Sequence, residues 1–246
     1  MVVEGLNTDK LSDWSTEELK NRLLELTQDR DTDSLSQKVS FYKNELQPLA
    51  EELSRRNPFP NVHDQISIVL GVWAPIWSTI PFQDSLPGRL RDQSYQIFHD
   101  NGYYANMARY APGDQVSFLQ KLSSILLAYD LMIIQKFEVQ NGQWYIQNIG
   151  IEQAFRLRGA PLDVDKAEAW FTKALKSKLK NTSQPVDALK APDLENLDQK
   201  TAKKFKKIFL ATPQLEHLYI DHDFRLVKSQ REAKQRPSYT IAVRQR

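Results

Sequence analysis

The sequence contains no cysteine. That removes disulfides, zinc–thiolate sites, iron–sulfur clusters and thiol nucleophiles together, and it suits a reducing compartment. Glycine is scarce, at 8 of 246 residues, and no internal period runs through the chain. Collagen-like, repeat and low-complexity architectures are therefore not expected. Neither sign of charge dominates: 33 Lys and Arg face 31 Asp and Glu, for a net charge of +2. Overall charge thus gives no case for nucleic-acid binding. Long apolar runs are missing as well. Residues 66–80 and 125–134 are too short or too interrupted for a membrane-spanning helix, which needs about 20 residues. Residues 1–13 have neither an apolar signal core nor an Arg- and Ser-rich transit character. The expectation is a soluble or peripheral protein.

Catalytic signatures are also lacking. No Gly-x-Ser-x-Gly, phosphate-cradling Gly loop or His-Glu-x-x-His occurs. The four histidines, His63, His99, His217 and His222, are too dispersed for a metal site. In Asp221-His222-Asp223, strand alternation would send the imidazole away from both carboxylates. A non-catalytic protein with no required cofactor and no metal is expected.

What is present is a core-forming composition, 41% hydrophobic and 26% charged, with clear local patterning. Residues 1–60 read as a helical segment. Ser15-Thr16-Glu17-Glu18 and Ser34-Leu35-Ser36-Gln37 have capping-box spacing, and Leu19, Leu23 and Leu26 recur at helical intervals. Pro48 should kink or split the second helix, and Asn57-Pro58 should stop it. From Ile66 onward the pattern is that of strands. Segments 127–139 and 143–157 meet at Asn141-Gly142, a two-residue hairpin signal because both turn positions need positive φ. Segments 215–227 and 238–244 read as the last two strands. A helical insertion is expected near residues 163–211. It begins at Asp165-Lys166-Ala167-Glu168 and includes a basic amphipathic helix over 197–210. That helix carries Lys200, Lys203, Lys204, Lys206 and Lys207 on one side and Phe205, Ile208 and Phe209 on the other.

Leu70-Gly71-Val72-Trp73 looks like the first strand of a lipocalin-type barrel, in which Gly lets the backbone bend and Trp plugs the closed end. The fold expectation is mainly β: a lipocalin-like antiparallel β-barrel over 61–246, led by the N-terminal helical hairpin. Three anchors, in order, then resemble the plastid lipid-associated protein (plastid fibrillin) family. They are the helical lead ending at Asn57-Pro58-Phe59-Pro60, the Gly71–Trp73 strand continuing to Trp77-Ser78-Thr79, and Leu218-Tyr219-Ile220-Asp221-His222-Asp223-Phe224-Arg225-Leu226 before a final apolar strand. Two features depart from the family pattern. Residues 228–236 lack the Gly-rich turn that usually joins the last strands, and the Lys-rich stretch 173–207 has no family counterpart.

The resemblance implies a peripheral protein of photosynthetic membranes, on the cytoplasmic side of the thylakoid in a cyanobacterium, or at the plastid stroma and thylakoid if it is a mature plant chain, that binds an apolar isoprenoid such as a carotenoid or prenylquinone. The alternative is a scaffold with a filled barrel that tethers a membrane-associated enzyme or photosynthetic complex. Trp73 and Arg225 are expected to close one barrel end through a cation–π contact, with Gly71 at the bend and Asp221 or Asp223 holding the guanidinium. Trp77, Tyr95, Tyr103, Tyr110, Phe137, Trp144 and Phe155 are the interior candidates, either lining a ligand pocket or filling the barrel. The lysines of 197–210 are the candidate surface for anionic lipid or a membrane-associated partner.

Overall fold

The computed structural model of the protein describes residues 8–81, 88–111, 127–181, 213–230 and 235–245. Its N-terminal helices start where polar caps satisfy their first N–H groups. In α1 (Thr16–Thr27) the Glu18 N–H donates to Ser15 Oγ at 3.2 Å, and the Ser15 N–H donates to Glu18 Oε2 at 2.6 Å. α2 (Leu35–Phe41) opens the same way, through Ser34 and Gln37. The second helix is split just ahead of Pro48, as expected. The chain widens into one π-type turn over Tyr42–Leu46, so Pro48 falls in the first turn of α3 (Gln47–Arg55), where a missing N–H costs no helical bond.

Among the described residues, eight strands follow the N-terminal helices: β1 (Gly71–Ser78), β2 (Arg89–Phe98), β3 (Tyr103–Tyr110), β4 (Leu127–Gln140), β5 (Gln143–Leu157), β6 (Gln214–Ile220), β7 (Phe224–Gln230) and β8 (Ser238–Arg244). Each pairs antiparallel with the next, and β8 returns to β1, closing the sheet on itself. The β4–β5 turn has the expected conformation, with φ of 51° at Asn141 and 72° at Gly142. At the start of β1, Gly71 has φ +105°, and a Cβ there would lie 2.9 Å from Arg244 Nη1. The backbone conformation therefore favours glycine there, and a larger residue would also have to displace the tip of Arg244.

The wall is covered from outside by helices. The α1–α3 layer buries Leu19, Leu23, Leu46, Leu49 and Leu53 against Trp77, Tyr219, Phe224, Leu226 and Ile241. A short helix before the barrel, α4 (Gln65–Val69), closes one end, where Ile68 and Val69 pack on Trp73, Phe98, Phe137 and Trp144. On another side, α5 (Val164–Asn181) presents Ala167, Phe171 and Leu175 to Tyr95, Ile97, Met107, Met132 and Ile134.

Two expectations change. Segment 215–227 is not one strand but the β6–β7 hairpin. Asp221 Oδ1 accepts the N–H groups of Asp223 (2.8 Å) and Phe224 (2.7 Å), a side-chain turn that reverses the chain. His217 therefore lies in a strand and His222 in a turn. Helix α5 begins earlier than Asp165: Asp163 caps it by accepting the Lys166 N–H at 2.9 Å. Of the insertion near 163–211, Val164–Asn181 is helical. The basic segment 197–210, with Lys200, Lys203, Lys204, Lys206 and Lys207, lies outside the described residues.

Candidate binding site

The ring encloses a cavity of about 200 Å³. Strand alternation decides what reaches it, and the inward positions include a run of amides. Gln96 Nε2 donates to Asn106 Oδ1 at 2.8 Å, Asn106 donates to Gln135, and Gln135 Nε2 donates to Asn148 Oδ1 at 2.6 Å. These four side chains form a hydrogen-bonded belt across β2, β3, β4 and β5 on the cavity wall. On β1 and β8, Ser78 Oγ and Thr240 Oγ1 are 2.9 Å apart. Apolar Ile133, Ile146, Leu131 and Val227 fill in between.

Arg225 is the charged group at the base of this space, 1% exposed. Its Cζ lies 5.0 Å from the centroid of Trp73 and 4.8 Å from that of Phe98. Its Nε and Nη1 have no hydrogen-bond partner among the described residues. Burial pushes the guanidinium down to about 9, with Arg244 adding to the shift and Tyr104 opposing it, so it stays a cation at neutral pH. Arg244 covers Trp73 from another direction at 4.2 Å and donates to the carbonyls of Leu70 (2.6 Å), Ile68 and His222. Trp73 Nε1 donates to Val69 O at 2.7 Å. Trp73 is thus held at the closed end by two guanidiniums and a helix carbonyl.

Nearby, Gln65 Oε1 lies 3.0 Å from Trp144 Nε1 and 3.0 Å from His217 Nδ1. An amide oxygen that accepts from both places the imidazole proton on Nδ1. Burial, and then the charge of Arg225, holds His217 well below the usual imidazole range, so it is neutral.

The seven aromatic candidates separate into three groups. Tyr110 lines the cavity, and Phe137 and Trp144 fill the closed end, their ring centroids 5.4 Å apart. Phe155 is 60% exposed and forms the outer end of a ring series in which Tyr110–Tyr129 centroids are 6.3 Å apart and Tyr129–Phe155 centroids 5.3 Å. Trp77 and Tyr103 are corrections, because their side chains pack on the outer wall, whereas Tyr95 lines the cavity and also packs beneath α5. A bulge between Pro75 and Trp77 turns Trp77 under α1–α3. A bulge between Leu90 and Tyr95 precedes Tyr95, whose hydroxyl donates to Leu162 O at 3.0 Å beneath α5, and Tyr103 packs on the same cluster.

Asp221 is a further correction, for it does not hold Arg225. It pairs with Lys20 at 2.7 Å and accepts the Tyr219 hydroxyl at 2.8 Å. Burial opposes its ionisation, but Lys20, the Asp223 and Phe224 N–H groups and Tyr219 outweigh that and keep it below the ordinary carboxylate range. The amide belt and Arg244 were missed by sequence reasoning. The signal for the belt was there: single amides flanked by apolar residues, as in Tyr95-Gln96-Ile97, Ala105-Asn106-Met107 and Ile134-Gln135.

Among the described residues, no group of three His, Asp or Glu side chains could hold a metal ion. No described helix is long and apolar enough to cross a membrane. The chain matches no family model, no curated protein and no solved structure.

Proposed function

We propose that this chain is a non-catalytic lipid-binding protein that seats the ring or head of one isoprenoid-type lipid, such as a carotenoid or prenylquinone, inside its β-ring. The observation that carries the reading is the cavity of about 200 Å³ within the closed sheet, linked by the Tyr110–Tyr129–Phe155 ring series to an exposed edge. An up-and-down closed sheet with a plugged end is an architecture suited to holding one small ligand, which supports the lipocalin-like assignment. The volume suits a ring or a short chain segment better than a whole polyene, so the tail of a long lipid would leave past Phe155 and Leu157, both more than half exposed. Apolar burial would drive binding, at about 25 cal/mol per Å². Peripheral association with a photosynthetic membrane, through anionic lipid or a membrane-associated complex, belongs to the same proposal.

A scaffold with a filled barrel is the competing reading. The packed closed end, where Trp73, Phe98, Tyr104, Phe137 and Trp144 are each buried, favours it. The deciding experiment is to purify the chain from a photosynthetic host without harsh detergent, extract it with organic solvent, and analyse the extract by mass spectrometry. A stoichiometric isoprenoid supports the carrier. A clean extract overturns it in favour of the scaffold.

A further inference from the structure

We infer that the lipid enters head first and that its head is an acid, a carboxylate seated on Arg225 at the base of the cavity. This inference rests on the lipid-binding reading and narrows its ligand to an isoprenoid or other lipid acid, in place of a neutral carotene or prenylquinone.

A buried guanidinium normally has both a countercharge and acceptors for its N–H groups. Arg225 has no countercharge among the described residues lining the cavity, none of which is Asp or Glu. Its Nε and Nη1 are buried without an acceptor. The rings of Trp73 and Phe98 lie near its charge, but a π-face offers little to donors that lie in the plane of the guanidinium. His217 beside it is neutral and offers no negative charge.

The other two cations of the lining are accounted for. Arg89 lies 3.7 Å from Asp31, which Lys38 (3.3 Å) and Arg91 (3.0 Å) also approach. Arg236 donates to the carbonyls of Pro237 (2.9 Å) and Thr79 (3.3 Å). The cavity therefore places its unsatisfied positive charge at the bottom rather than at the rim. A carboxylate is planar and takes two parallel N–H bonds from one guanidinium edge, so on Arg225 it would supply the missing charge and, on the Nε–Nη2 or the Nη1–Nη2 edge, an acceptor for one of the two unpartnered groups. Tyr104, whose hydroxyl burial keeps protonated, lines the same space as a second donor. An ester, alcohol or hydrocarbon would leave the cation without its countercharge.

The test uses three probes with one skeleton: retinoic acid, methyl retinoate and retinol. Each is titrated into the full chain and followed by quenching of tryptophan fluorescence. The acid is expected to bind about tenfold or more tighter than the ester and the alcohol. Arg225→Met is expected to abolish that preference, while Arg236→Gln keeps it. Equal binding of acid and ester to the unaltered chain overturns the head-group inference and leaves the lipid-binding reading standing. No binding of any probe, together with a clean solvent extract, overturns both. If Arg225→Met does not fold, the acid-to-ester ratio of the unaltered chain still decides the matter. A preference lost in Arg236→Gln and kept in Arg225→Met would move the head group to the rim and overturn the inference.

Discussion

The two faces of the β-wall are built in opposite ways. The outer face carries Ile97, Met107, Met132 and Ile134 under α5, and Phe224, Leu226 and Ile241 under α1–α3. The inner face carries Gln96, Asn106, Gln135, Asn148, Thr240 and Arg225 beside its apolar residues. An isolated soluble barrel would have its polar residues outside. Here the helices supply the apolar partner, so most of the core lies between wall and helices. The interior is then released from holding the fold together and can carry polar groups placed for a ligand.

That contrast can be broken from either side, and the largest effect is expected outside. Phe171→Ala empties a fully buried site between α5 and the wall and should cost about 3–5 kcal/mol in denaturant unfolding. A loss below 1 kcal/mol would mean that α5 is a dispensable cover. On the inner face, Gln135→Leu takes the acceptor from Asn106 and the donor from Asn148, and should cost about 1–3 kcal/mol despite adding apolar surface. A stabilised variant would show that the belt is no energetic unit.

Acid should act on the inner face first. His217 is neutral in the folded chain because its pKa is depressed, whereas the unfolded chain protonates near the ordinary value of about 6.5. Below that pH the unfolded state binds the extra proton, so stability falls as pH drops through and below 6.5, by at most about 1.4 kcal/mol per unit. His217→Gln should flatten this part of the stability–pH curve, and an unchanged slope would assign it to other groups. Ser34→Ala removes a cap from the outer helical layer and should cost about 1 kcal/mol by thermal unfolding. The smallest stability effect belongs to the exposed edge. Phe155→Ser should stay within about 0.5 kcal/mol of the parent while weakening lipid capture. Unchanged capture would remove Phe155 from the entry path.

Local chemistry made much of the fold legible. Capping boxes at Ser15 and Ser34, the Asn141-Gly142 turn and the bend at Gly71 each depend on a few neighbouring residues, and each is found where the pattern puts it. Facing was not legible, because it accumulates along a strand and is reset by every bulge. Trp73 and Trp77 are four residues apart, which in an even strand puts both on one face. The bulge after Pro75 sends Trp77 outward instead. The Asp221 turn likewise depends on a carboxylate folding back on its own backbone, which strand alternation does not anticipate. The Trp73–Arg225 contact was expected from the likeness to lipocalin-type barrels, but the missing countercharge became visible only with Asp221 committed to Lys20.

The β1–β8 seam has a consequence for how the chain folds. Trp73 pairs with Arg244, a contact between segments about 170 residues apart, whereas β4 and β5 pair across a two-residue turn. Hairpins such as β4–β5 can form while the chain is still being made, but the ring cannot shut until β8 has been synthesised. Until then β1 and β7 each present an unpaired edge able to recruit strands from other molecules. The helical layer that later covers Trp77 and Leu226 is translated first, ahead of β1, and so is at hand to shield the same surfaces during that wait.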